Sequence, residues 1–154
     1  MEIENAVALD AEALSALAVS AARELRETDF SAEGWLNFLN SVSAVELTQK
    51  INNPAFSVLR CSAQGRILGF IALKDSEKVD QLFVSAEARK QGVATLLWQS
   101  AKAVALHSNA AGRFWVRSSS MAIPVYQRFG FVSEGERASF NGIAFQLMKL
   151  SPGP

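Results

Sequence analysis

The sequence predicts a mixed α/β (α+β) fold: a central, twisted, mostly antiparallel sheet of about six or seven strands with helices on both faces. Three observations carry this reading. The opening of the chain has helical spacing, with apolar residues three and four apart. A run of short strand-like segments separated by tight turns follows. A strand–loop–helix–strand unit then sits in the middle of the chain, the connection that lets two strands lie parallel.

Taken in order, Ile3 to Leu9 reads as a first strand. Asp10 is placed to cap a helix whose apolar positions are Leu14, Leu17, Ala18, Ala21 and Leu25. Ser31 opens a second helix with Trp35, Phe38 and Leu39 inward. Ser43 and Glu46 form a capping-box pattern for a third helix through Ile51. Asn52, Asn53 and Pro54 end it, because the residue before a proline is pushed out of the helical region. Phe56 to Ala63 and Arg66 to Leu73 flank Gln64-Gly65, a hairpin signal. The polar turn Lys74 to Lys78 leads into a strand from Val79 to Ser85. The loop Arg89 to Ala94 opens a helix with Val93, Leu96, Leu97, Ala101 and Val104 on its apolar face. Phe114 to Arg117 reads as a strand and Met121 to Phe129 as a short helix. Phe131 to Ser133 and Phe145 to Leu150 supply the last two strands.

No repeat, linker or low-complexity segment divides the 154 residues, so residues 1–150 read as one domain and 151–154 as a disordered tail. Hydrophobic residues make up 49% and charged residues 19%, a globular balance. Fifteen basic and fifteen acidic residues cancel. A chain without net charge has no broad field for a polyanion, which argues against nucleic acid or an anionic membrane as partner. No run approaches the roughly 20 apolar residues of a membrane span. The acidic start, Met1-Glu2-Ile3-Glu4, is unlike a secretory signal, so the expected address is the cytoplasm. Cys61 is the only cysteine, which excludes an internal disulfide and a thiolate metal cluster; no metal is expected. Its apolar surroundings suit a buried thiol rather than a nucleophile.

The most informative segment is Val79-Asp80-Gln81-Leu82-Phe83-Val84 followed by Arg89-Lys90-Gln91-Gly92-Val93-Ala94-Thr95. A helix that opens straight from a short loop presents backbone N–H groups that no helical carbonyl satisfies. Those donors and the positive end of the helix dipole form a site for phosphate oxygens. Gly92 leaves room for an anion, Ala94 stays small, and Arg89 and Lys90 add charge. A plain strand-to-helix turn would look similar. A P-loop is excluded because no Gly-Lys-Ser/Thr follows, and a dinucleotide fingerprint because its glycines are missing.

Together with a second block, this segment resembles the GCN5-related N-acetyltransferase (GNAT) family. The family's Gln/Arg-x-x-Gly-x-Gly/Ala loop is matched by Arg89-x-x-Gly92-x-Ala94, after the strand triplet Leu82-Phe83-Val84. Its Ala-x-x-x-Tyr-x-x-x-Gly-Phe segment is matched by Ala122, Tyr126, Gly130 and Phe131. The resemblance implies acetyl-CoA as co-substrate, no metal, and transfer of the acetyl group to a primary amine of a small molecule or a peptide by direct attack. It implies coenzyme contacts from Leu82, Phe83, Val84, Arg89, Lys90, Gln91, Gly92, Val93, Ala94, Thr95, Ser119 and Tyr126, and a cleft where the strand after Val79 leaves its neighbour.

By the same resemblance Tyr126, the only tyrosine, is the general acid for the departing thiolate. A phenol pKa of about 10 suits that transfer. Packing against Ala122 and Phe129 is its alternative role. Ser119 stands where many members have asparagine. Phe114 stands where some members have a glutamate base, leaving Asp80, Glu87 or water to take the proton, with Asp80 the better placed. Trp35, Phe38 and Phe145 fall in the variable regions where the family builds its acceptor pocket; they suit core packing as well. His107, near the end of a helix, complements the dipole rather than catalysing. A coenzyme-binding regulatory module with weak catalysis is the competing function. The acceptor and the choice between monomer and homodimer stay open.

Overall fold

The structure, a computed structural model, describes residues 1–152. One sheet holds eight strands: β1 (Glu2–Asn5), β2 (Phe56–Ala63), β3 (Arg66–Lys74), β4 (Lys78–Val84), β5 (Phe114–Ser118), β6 (Val132–Ser133), β7 (Ala138–Phe140) and β8 (Ile143–Leu150). Their spatial order is β1-β2-β3-β4-β5-β8-β6, with β7 on β8. All pairs are antiparallel except β4 with β5. The expected fold class is the observed one, with more strands than counted from the sequence. The uncounted strand is β7, three exposed residues long.

Helices cover both faces. On one face lie α5 (Val93–Ala105) and α6 (Ile123–Arg128). Their cluster joins Leu97, Trp98, Ala101 and Tyr126 to Val79, Phe114, Val116 and Met148 of the strands. On the other face α1 (Ala11–Ala22), α3 (Ala32–Ser41) and α4 (Ala44–Asn52) meet Val58, Phe70 and Ala72 through Leu14, Ala18, Phe38 and Leu47. Side chains alternate between faces along a strand, so each of the two cores takes every second residue of the central strands.

Several sequence expectations need correction. The first strand stops at Asn5, and Ala8–Asp10 forms a 3-10 turn. The cause is local: the Asp10 carboxylate accepts the Val7 N–H at 2.8 Å instead of capping α1. The first helix does not run through to Leu25. It passes through a 3-10 turn at Arg23–Leu25 into the short α2 (Arg26–Asp29). In α5 the inward residue of the last turn is Ala105, and Val104 is exposed. Ser43 accepts the Glu46 N–H at 3.3 Å, but its own N–H donates to Asn40, so the capping box is half formed. Ser151 and Pro152 have no regular structure; the rest of the expected tail lies outside the described residues.

One close contact positions the functional end. Ser31 caps α3 by accepting the Gly34 N–H at 2.9 Å, and its own N–H donates to the Gly142 carbonyl at 2.9 Å. A Cβ on Gly34 would lie 1.9 Å from that carbonyl oxygen. Only glycine lets α3 sit directly on the β7–β8 turn, and this holds Phe140, Ile143 and Phe145 beside β5.

Candidate active site

The sheet opens between β4 and β5. Their parallel pairing covers only Lys78↔Trp115 and Val79↔Val116. On the other side of β4, Ala72 pairs with Gln81 and Leu73 with Val79, leaving Asp80 as the extra residue of a bulge. A bulge bends its strand and sharpens its twist, which turns the rest of β4 away from β5. The backbone from Asp80 to Val84 thereby loses a neighbour on that side.

A cleft of about 750 Å³ fills the opening. It passes through the sheet, because its lining comes from both faces. Tyr126, Val93, Ala88 and Leu82 belong to the α5–α6 side; Phe38, Phe30, Phe83 and Ile143 belong to the other.

Most sequence-predicted residues meet on its walls: Asp80, Leu82, Phe83, Val84, Arg89, Lys90, Gly92, Val93, Ala94, Thr95, Ser119, Tyr126, Phe38 and Phe145. Gln91, Glu87 and Trp35 do not line it. Gln91 donates its side-chain amide to the Glu87 carbonyl at 3.1 Å, and the Glu87 carboxylate pairs with Arg66 at 2.9 Å. Trp35 is buried behind the wall, stacked on Phe38 and edge-on to Phe30. Its ring supports the pocket rather than facing it.

Gly92 is the N-cap of α5 at φ +83°, a left-handed conformation that favours glycine. No side chain caps this helix and no acidic residue lies in its first turn. Its leading N–H groups are therefore unopposed donors at the positive end of a dipole. A Cβ built on Gly92 would meet nothing within 4 Å, so the space before these donors is open. Arg89 lines the same end, held by Glu24 at 2.9 and 3.0 Å; Lys90 and Arg128 also line the cleft.

Tyr126 is buried on α6, with its ring edge-on to Phe129 and Phe131. Both roles weighed from the sequence thus coincide geometrically: the ring packs while the residue lines the cleft. Burial pushes its phenol well above the ordinary value of 10.0 expected from the sequence, so the hydroxyl keeps its proton and is a weaker acid toward a thiolate than that value implies. Ser119 accepts the Ala122 N–H at 3.3 Å and so fixes the entry to α6.

Asp80 is half-buried, and both its oxygens are taken: Lys50 lies 2.6 Å from Oδ2 and Lys78 lies 3.5 Å from Oδ1. Next to it Gln81 Oε1 is buried with no hydrogen-bond partner among the described residues.

Sequence reasoning missed three charged residues of the wall: Arg128, on α6, Asp29 and Arg117. Asp29, at the end of α2, has a side chain 1% exposed and pairs with Arg137 at 2.8 Å. Burial raises its carboxyl pKa, but hydrogen bonds from Ser120, Thr28 and Arg137 outweigh that and lower it overall. Arg117 on β5 lies over the rings of Phe145, Phe140 and Trp115 at 5.0, 5.3 and 5.9 Å. The strand alternation of Phe114 to Arg117 was the available signal for it; none existed for Asp29.

The cleft thus holds a splayed parallel pair, an uncapped helix opening at a glycine and a buried tyrosine. The acetyltransferase (GNAT) domain model covers residues 26–152. The chain belongs to the GNAT acetyltransferase family. Its enzyme class, an acetyl-CoA-dependent N-acetyltransferase, stands on that match. Solved GNAT structures share the fold. A GCN5-related N-acetyltransferase from Rhodopseudomonas palustris superposes with a TM-score of 0.83 at 22% identity, covering 98% of this chain and 95% of the other. The PaiA N-acetyltransferase of Thermoplasma acidophilum, in complex with coenzyme A, gives 0.84 at 18% identity with 98% of each chain covered. A ribosomal-protein-alanine N-acetyltransferase from Brucella melitensis gives 0.72 at 16%, covering 99% of this chain and 100% of the other. No curated protein matches the sequence. The residues of this GNAT chain fit the coenzyme: the donors at Gly92 face open space, and the nearby charges of the loop are positive.

Proposed function

We propose that this protein transfers an acetyl group from acetyl-CoA to a primary amine of a small molecule or peptide, by direct attack within a ternary complex. The single observation that carries the reading is the cleft itself, open to both faces of the sheet between Gly92 and Phe145. A donor bound from the α5–α6 face and an amine approaching from the α3 face would meet beside β4.

In this reading the first-turn amides of α5, with Arg89 and Lys90, bind the diphosphate. Leu82, Phe83 and Val84 line the pantetheine arm, and unpaired β4 amides hydrogen-bond the thioester oxygen as negative charge develops there. The amine nitrogen attacks the carbonyl carbon, a C–N bond forms, and the C–S bond breaks. The departing thiolate takes the proton of Tyr126. Asp80 accepts the proton released by the amine, which requires it to give up one of its lysine contacts. No serine or cysteine nucleophile is needed. The same reading makes residues 1–150 one domain working in the cytoplasm. Among the described residues no helix is long and apolar enough to cross a membrane.

The experiment is coenzyme release measured over a panel of amines, with calorimetric titration of acetyl-CoA alongside. Acetyl-dependent turnover with at least one amine is expected. Tight coenzyme binding without turnover of any amine would instead establish the regulatory-module reading, which the doubly paired Asp80 favours.

A further inference from the structure

The charges on the α3 face of the cleft point to the chemical class of the acceptor, an inference that rests on the function proposed above. Two carboxylates reach this part of the wall, and both are already matched. Asp29 is held by Arg137 and by two hydrogen bonds from Ser120. Asp80 is shared between Lys50 and Lys78. Arg117, by contrast, has no carboxylate partner among the described residues; its neighbours are the aromatic rings of Phe140, Phe145 and Trp115.

Arg117 directly follows the last β4–β5 pair, Val79↔Val116. Val116 belongs to the core on the α5–α6 side. Alternation therefore sends Arg117 to the opposite face, the side from which the amine approaches. A guanidinium resting on ring faces keeps its in-plane N–H donors available, and their fork fits a carboxylate. The rings limit the rotamers it has to lose on binding a ligand.

We infer that Arg117 binds a carboxylate of the acceptor, which is thus an amine that also carries an acid group, such as an amino acid or a peptide with an acidic side chain or terminus. A polycationic acceptor is disfavoured, because the two carboxylates there, Asp29 and Asp80, are already paired with Arg137, Lys50 and Lys78, while Arg117 is not.

The test uses matched pairs: α-, β- and γ-amino acids and short acidic peptides, each against its carboxamide. At least one acid is expected to exceed its amide in kcat/KM by about tenfold or more, the scale of a charge-assisted hydrogen bond. The difference should lie mainly in KM. Arg117→Gln should bring the acid to amide-partnered ratios near one, and Arg117→Lys should restore part of the preference. A merely structural role would lower acid and amide together and leave the ratio intact. Calorimetric titration of the same pairs into the protein with coenzyme A reads the preference without turnover. Equal binding and turnover of acids and amides by the unaltered protein, or a ratio unmoved by Arg117→Gln, overturns the inference. Failure of acetyl-CoA itself to bind would instead sink the function on which it rests.

Discussion

The carboxylate of Asp29 accepts both the backbone N–H and the hydroxyl of Ser120, at 2.8 and 2.7 Å, across 91 residues of sequence. This ties the end of α2 to the loop that leads from β5 into α6, and Arg137 joins the β6–β7 connection to the same carboxylate. The residue that lines one side of the cleft thus fixes the start of the helix bearing Tyr126 on the other.

Replacing Asp29 by alanine leaves the two half-buried Ser120 donors without their acceptor, while Arg137, 43% exposed, turns to solvent. The expected loss is about 1–3 kcal/mol, the scale of leaving buried donors unsatisfied, measured by denaturant unfolding. Activity per folded molecule should fall as well, because α6 loses its anchor. The pH dependence follows from a carboxyl whose folded pKa is lowered from 3.8. Its stabilisation is present above that value and is lost as pH falls through the folded one. Asp29→Asn should therefore flatten the acid limb of stability against pH. An unchanged limb would show that Asp29 carries none of the acid sensitivity.

Gly92 offers a cleaner separation of stability from binding. Alanine at φ +83° is strained by about 1 kcal/mol, yet its methyl enters open space. Gly92→Ala and Gly92→Leu should melt at nearly the same temperature, slightly below the parent. They should differ in acetyl-CoA affinity, with leucine the weaker, since the longer side chain occupies the space before the α5 donors. Equal coenzyme affinity for all three proteins would show that the diphosphate lies elsewhere.

Asp80 is tested by removing charge without shape. Asp80→Asn should lower kcat/KM by about 100-fold, within the range of general-base catalysis. Lys50→Met frees one carboxylate oxygen and should preserve turnover. If Asp80→Asn loses only thermal stability and keeps its kcat/KM, the residue is an anchor for Lys50 and Lys78.

Legibility in the sequence followed the range of the interactions. The hairpin at Gln64-Gly65, the opening of α5 and the burial of Cys61 depend on near neighbours or on simple periodicity, and all were readable. β7 escaped because its three residues are exposed and show no alternation. The end of α1 escaped because the break at Arg23 carries no glycine or proline. In the site, the glycine that opens α5 was legible since the turn into the helix is set by local spacing. Asp29 was not, because its partners Ser120 and Arg137 lie 91 and 108 residues away. The pairing of Asp80 with Lys50, 30 residues apart, is hidden for the same reason.

Tyr126→Phe separates the two roles of the buried tyrosine. Its ring contacts with Phe129 and Phe131 survive the change. Melting temperature and acetyl-CoA affinity should therefore stay close to the parent, while kcat falls by about 100-fold or more, the contribution of a general acid. The parent phenol, raised by burial above its ordinary 10.0, stabilises the fold fully below pH 10 and less as pH rises toward the folded value. The phenylalanine protein should escape that alkaline loss. A variant with undiminished kcat would reduce Tyr126 to a packing residue, and the thiolate would then take its proton from water.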